Sequence, residues 1–198
     1  MLPIAREHLF RTLRRAALLA MVAGLVGCAA VKMPAPTASA ASVESLRGAS
    51  LTPTTAGSFS LAAGKPAEMD RTLGGLRGSS VAPASGSFAQ QLKDQLIADL
   101  RAAGLYDDAS KIVIDARLTD SRVDAAIGTG TGRLAAQFIV RRGGQTVFDK
   151  ELAVDAQWES SFVGAVALPA AINQYTAFYP ALTRKLFADA DFRAALKK

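Results

Sequence analysis

Residues 133–159 read RLAAQFIVRRGGQTVFDKELAVDAQWE, and this stretch decides the fold. Leu134, Ala136, Phe138 and Val140 fall on alternate positions. After Gly143-Gly144, so do Phe148, Leu152, Val154, Ala156 and Trp158, with Lys150 interrupting the series. A period of two marks strands with one buried and one wet side. Between them Arg142-Gly143-Gly144-Gln145 is a tight hairpin turn, with glycines free to take positive φ. Upstream, Ile112, Ile114, Ala116 and Leu118 alternate within a third strand, Lys111 to Asp120. Gly128-Thr129-Gly130-Thr131-Gly132 is expected to join this strand to the next as a longer mobile loop. It is not a phosphate cradle, because it lacks the Gly-Lys-Ser/Thr ending and precedes a strand instead of a helix.

Helices flank these strands. Ser87-Phe88-Ala89-Gln90 fits a capping box at the start of a helix running to about Ala103. Phe88, Leu92, Leu96, Ile97 and Leu100 form its apolar face, Lys93, Asp94, Asp99 and Arg101 occupy much of the rest, and Gly104 is a natural stop. A last helical region is expected to begin with Pro169 at its first position. Leu168, Ile172, Tyr175, Tyr179, Leu182 and Leu186 form its stripe, and Pro180 predicts a kink or break. A short helix from Asp189 to Leu196 follows. Earlier, Ser58 to Ala62 and Arg71 to Arg77 are weaker strand candidates. Together these predict an α+β domain: an antiparallel sheet with two main helices packed on one face, in the order β-α-β-β-β-α. An echo, Leu46 to Pro53 against Leu76 to Pro83, reads as a chance recurrence in a Gly/Ser/Pro-rich region rather than a duplicated unit.

The N-terminus carries a different signal. Arg6, Arg11, Arg14 and Arg15 precede an apolar run from Ala16 to Val26, the layout of a secretory signal peptide. The run is too short for a transmembrane span, which needs about 20 residues. Leu25-Val26-Gly27-Cys28 reads as a lipobox: cleavage before Cys28, whose thiol takes a diacylglycerol and whose new amine takes an N-acyl chain such as palmitate. Ala29 behind the cysteine, where an aspartate would retain the protein in the inner membrane, points to the outer membrane, facing the periplasm. Residues 28–44, rich in Ala, Pro, Ser and Thr, are expected to be a flexible tether, and 45–198 a single periplasmic domain.

Cleavage shortens the chain from 198 to 171 residues. The leader takes four arginines and Glu7 with it, so 23 basic and 17 acidic residues become 19 and 16, a net charge of +3. That is a mixed soluble surface, not a nucleic-acid footprint. The leader also takes His8, the only histidine, and Cys28 is the only cysteine. A Ser-His-Asp triad, a cysteine nucleophile, the usual zinc sites and disulfides are thereby excluded. Asp107-Asp108 fits a solvated turn, and Asp189 and Asp191 fit capping of the last helix. No metal site and no cofactor beyond the lipid are expected, and no enzyme.

The apolar, charge-poor run from Trp158 to Pro169 has two readings. It is core filling beneath the last helix, which large aromatics favour. As function, Trp158, Phe162, Val163 and Tyr175 would contact a partner or ligand. Ser160-Ser161 has no base near it to make a nucleophile.

Leu76-Arg77-Gly78-Ser79-Ser80, the helix from Phe88 to Gly104, the run Trp158 to Ala165, and Leu186-Phe187-Ala188-Asp189 with Asp191-Phe192 resemble a group of uncharacterised proteobacterial outer-membrane lipoproteins. The layout is similar to that of lipopolysaccharide-assembly lipoproteins and the auxiliary lipoproteins of lipid-transport ABC systems. The resemblance brings no established activity; the anchor, the tether and the missing catalytic side chains point to an outer-membrane-anchored, non-catalytic accessory or scaffold in envelope assembly or transport, with the membrane and another envelope protein as partners and no nucleic acid. The alternative is a lipid or glycan carrier or sensor using a groove near Trp158 and Tyr175.

Overall fold

The alternating strands form as expected and extend further than the alternation alone reaches. The computed structural model describes residues 30–197; Leu25, Val26, Gly27 and Cys28 lie outside the described residues. β1 is Val31–Lys32, α1 Ala40–Leu46, β2 Thr55–Leu61, β3 Leu73–Leu76, β4 Ser79–Ala82, α2 Phe88–Ala102, β5 Ile112–Asp124, β6 Gly128–Arg142, β7 Gln145–Ser160, α3 Gly164–Ala188 and α4 Ala190–Leu196. β2-β5-β6-β7 form one sheet and β1-β4-β3 a smaller one. The fold is α+β and mostly antiparallel. Two pairs depart from that pattern, since β2 runs parallel to β5 and β1 parallel to β4.

α2 lies over β2 and β5, and α3 over β6 and β7. The core between them holds Leu92, Leu96, Ile114, Leu118, Phe138, Leu182 and Phe187. Ser87 caps α2 by accepting a hydrogen bond from the Gln90 amide at 3.0 Å. The capping box is half-made, because the Gln90 side chain donates forward to Asp94 at 2.7 Å instead of back to the cap. Gly104 takes positive φ at the helix end, as expected of a stop.

Three expectations are corrected. The first concerns 28–44, where from Val31 onward the chain is not a flexible tether. Val31 pairs with Val81, Met33 is buried, and Ser39 caps α1. α2 holds this strap with one polar stripe. Gln91 donates to the Pro34 carbonyl at 2.8 Å, Gln95 donates to that of Thr37 at 3.0 Å, and the Asp99 carboxylate accepts from the Ser39 amide at 2.7 Å. Asp99, expected on the wet face, is fully buried and also accepts from Thr183 of α3 at 2.7 Å. Buried polar groups must be paired, and here the pairing is what docks the strap.

The second correction is the Gly-Thr-Gly-Thr-Gly run. It belongs to β6, not to a loop: Gly130 faces Trp158 and Gly132 faces Ala156 across the ladder. A Cβ on Gly130 would clash with the Trp158 ring, and one on Gly132 with the Phe178 ring. The glycines make room for aromatics and still pair.

Third, α3 starts at Gly164, so Pro169 lies inside it, and the helix runs on through Pro180 without a break. The echoed segments are not a structural unit: Leu46 ends a helix, whereas Leu76 enters the β3–β4 turn. That agrees with chance recurrence.

Candidate functional site

The β3–β4 connection is a two-residue turn in which Arg77 (φ 49°) and Gly78 (φ 87°) both have positive φ, the shape that matches strand twist in a tight hairpin. For arginine this conformation costs about 1 kcal/mol or more. The side chain offsets the cost. Its Nε donates to the Ala125 carbonyl at 2.6 Å, Nη1 to that of Phe162 at 3.0 Å, and Nη2 to the Ser161 carbonyl at 2.6 Å and Ser160 Oγ at 3.2 Å. One guanidinium therefore ties the end of β5 to the β7–α3 connection. The Gly75 carbonyl accepts from the Ala125 amide at 2.8 Å, and the Ser161 hydroxyl accepts from the Val163 amide at 3.1 Å. Two stretches that carry the sequence resemblance, 76–80 and 158–165, meet at this clamp.

What the clamp presents is apolar. Phe162 is 79 % exposed, Ile127 63 %, Val166 59 % and Val163 55 %. The reading of Trp158 to Leu168 as core filling fails at Phe162, Val163 and Val166, whose side chains are exposed. Trp158 is half-buried against Gly130, and its Nε1–H has no hydrogen-bond partner among the described residues. Tyr175 is corrected outright. It is fully buried, edge-on to Phe88, Phe178 and Tyr179, and its hydroxyl bonds those of Ser121 at 2.5 Å and Tyr179 at 3.0 Å. Burial pushes its phenol well above the ordinary tyrosine range, against the lowering effect of the Ser121 and Tyr179 hydrogen bonds. It cannot touch a ligand, so no groove is shared by Trp158 and Tyr175. Arg77 and Asp99 were missed as functional positions because each acts on partners far along the chain.

The other end of the meander, around the β6–β7 turn, is built differently. Asp189 caps α4 and takes the Lys150 amino group at 2.7 Å, which explains the lysine that interrupts the apolar series of β7. The open sheet face carries the Arg141–Asp115 and Arg133–Asp155 ion pairs. A cavity of about 470 Å³ lies between the strap (Pro34 to Ser39) and the α2–α3 pair. Among the described residues no cluster of His, Cys, Asp and Glu could hold a metal ion, and no helix is long and apolar enough to cross a membrane.

No family model matches the sequence, and no curated protein matches it. Among solved structures, the chain is similar to a Xanthomonas campestris protein of the family DUF330, at 14 % identity and a TM-score of 0.48 over 85 % of this chain and 94 % of that one. It is similar also to a protein of Caulobacter crescentus provisionally described as a lipoprotein, at 15 % identity and a TM-score of 0.39 over 54 % and 80 % of the two chains. A lipoprotein from Neisseria meningitidis matches at 11 % identity and a TM-score of 0.28 over 63 % and 99 %. No residue role passes from these proteins to this chain.

Proposed function

We propose that this chain is a periplasmic lipoprotein, held to the outer membrane by diacylglycerol and an N-acyl chain on Cys28, that serves as a non-catalytic accessory in envelope assembly or transport by binding another envelope protein. One observation carries the reading: the buried polar groups serve structure, and what the domain exposes for contact is an apolar apex and the edge of β7, unpaired among the described residues. The Asp99 carboxylate, the Tyr175 and Tyr179 hydroxyls and the Thr183 hydroxyl are spent on holding the strap and the helices together. An exposed apolar cluster of this kind marks a surface made for contact. The lipobox and the absence of histidine and free thiol after Cys28 support the same reading.

The test is site-specific photo-crosslinking in living cells, with probes at Arg101 on α2 and at Glu151 and Glu159 on β7. A discrete protein adduct from at least one position is the expected result. Turnover of an envelope substrate by the purified protein, with no adduct from any probe, would sink the reading.

A further inference from the structure

We propose that the Phe162 apex is the membrane-facing end of the domain, seated in the bilayer surface beside the lipid on Cys28. The proposal rests on the lipoprotein reading and names the occupant of the apex.

The first ground is chain direction. β1 runs parallel to β4, with Val31 beside Val81 and Lys32 beside Ala82. Traced backwards from Val31, the chain therefore heads toward the end where β4 begins, at the Arg77-Gly78 turn. That turn is bonded directly to Phe162. The second ground is length. Only Ala29 and Ala30 separate Cys28 from Val31. Three residue steps span at most roughly 11 Å. With the strap folded onto α2 instead of hanging free, the anchor holds the domain close to the bilayer, by its apex end.

Composition is the third ground. Among the described residues, six large apolar side chains are exposed, and five of them (Val31, Ile127, Phe162, Val163 and Val166) belong to β1, the β5–β6 turn, the β7–α3 connection and the first turn of α3. The sixth, Val147, sits at the β6–β7 turn. The apex is formed from two short stretches, 125–130 and 160–168, that contain no Asp, Glu, Lys or Arg. Segments buried in the headgroup and upper acyl region avoid charge, and apolar side chains next to an acyl anchor reinforce it. The Arg77 clamp completes the case. It consumes the guanidinium on loop carbonyls and keeps the apolar side chains out of the core. A protein partner at the apex would have to enter the gap of about 11 Å between domain and bilayer that the anchor leaves.

The experiment uses the full chain, expressed with its leader, purified from membranes and reconstituted into phosphatidylethanolamine–phosphatidylglycerol vesicles containing brominated phosphatidylcholine. In a Trp158→Phe background, one reporter tryptophan is placed by Phe162→Trp, a second by Val166→Trp, and a far-end control by Val147→Trp. Circular dichroism checks that each variant folds, and mass spectrometry of the N-terminal peptide reads the modification of Cys28. Expected are an acylated Cys28, quenching of roughly two-fold at 162 and 166, consistent with a depth of about 5–10 Å, and none at 147. An acylated Cys28 with 162 and 166 quenched no more than 147 would overturn the apex proposal and leave the anchored protein intact. An unmodified Cys28 would overturn both, since the length argument then has no anchor. A photo-crosslinker at 162 that captures a discrete protein and no lipid in cells would also overturn it.

Discussion

Phe162 and Phe192 are the same side chain in opposite circumstances. Phe192, near the β6–β7 end of the meander, is fully buried and lies edge-on to Phe148 at 5.7 Å and against Phe187 at 6.1 Å. Phe162, at the other end, is mostly in solvent. The far end closes in an ordinary way: an N-capped helix, an ion pair and an aromatic cluster under it. The apex instead spends a guanidinium to fix two loops while leaving their apolar side chains outside. Burial and rigidity are thus separate quantities here. At one end packing supplies both, and at the other a hydrogen-bonded clamp supplies rigidity alone.

This contrast can be broken or sharpened by substitution. The largest effect is expected from Phe192→Ala, which should destabilise the protein by about 3–5 kcal/mol in denaturant unfolding, through lost transfer energy and a cavity. Next comes Arg77→Ala. Loss of four donated hydrogen bonds, partly replaced by water, should cost about 2–3 kcal/mol. Hydrogen exchange at the amides of 160–166 should quicken selectively. Arg77→Lys should restore little of this, because an ammonium cannot span the same acceptors.

Asp189→Ala should cost about 1 kcal/mol at neutral pH, the usual worth of an N-cap. Burial alone would raise the Asp189 carboxyl, but the Lys150 amino group and the amides of Phe192 and Asp191 outweigh it and hold the group below the usual carboxylate range. The folded protein then binds this proton less tightly than the unfolded chain. Its contribution is full above the ordinary carboxylate pKa and fades as pH falls through the depressed value. Urea unfolding as a function of pH should show a shallower acid limb in the variant. The smallest stability effect is expected from Phe162→Ser, within about 0.5 kcal/mol of the parent. A large loss there would mean that the apex is core after all.

The hairpin of β6 and β7, the third alternating strand and the Ser87-capped helix were legible because period-two and period-3.6 patterns report which face of a local element is buried. Other assignments failed where the partner lies elsewhere in the chain. Gln91, Gln95 and Asp99 share one side of α2 at four-residue spacing, and their polarity reads as a wet face. They are dry because the backbone at 34–39 needs their donors and acceptor, at a separation of 57 to 60 residues. Gly130 looked like a loop residue because the pattern cannot register an aromatic ring lying over it from the next strand.

The sequence by itself determined the α+β class, the paired strands and the helix cap, since each is a matter of neighbouring residues. Only the tertiary structure decided that the strap is docked, that Tyr175 is core, and that Phe162 is exposed. Those outcomes depend on which groups far apart in the chain meet to satisfy buried hydrogen bonds, and local spacing carries no record of that.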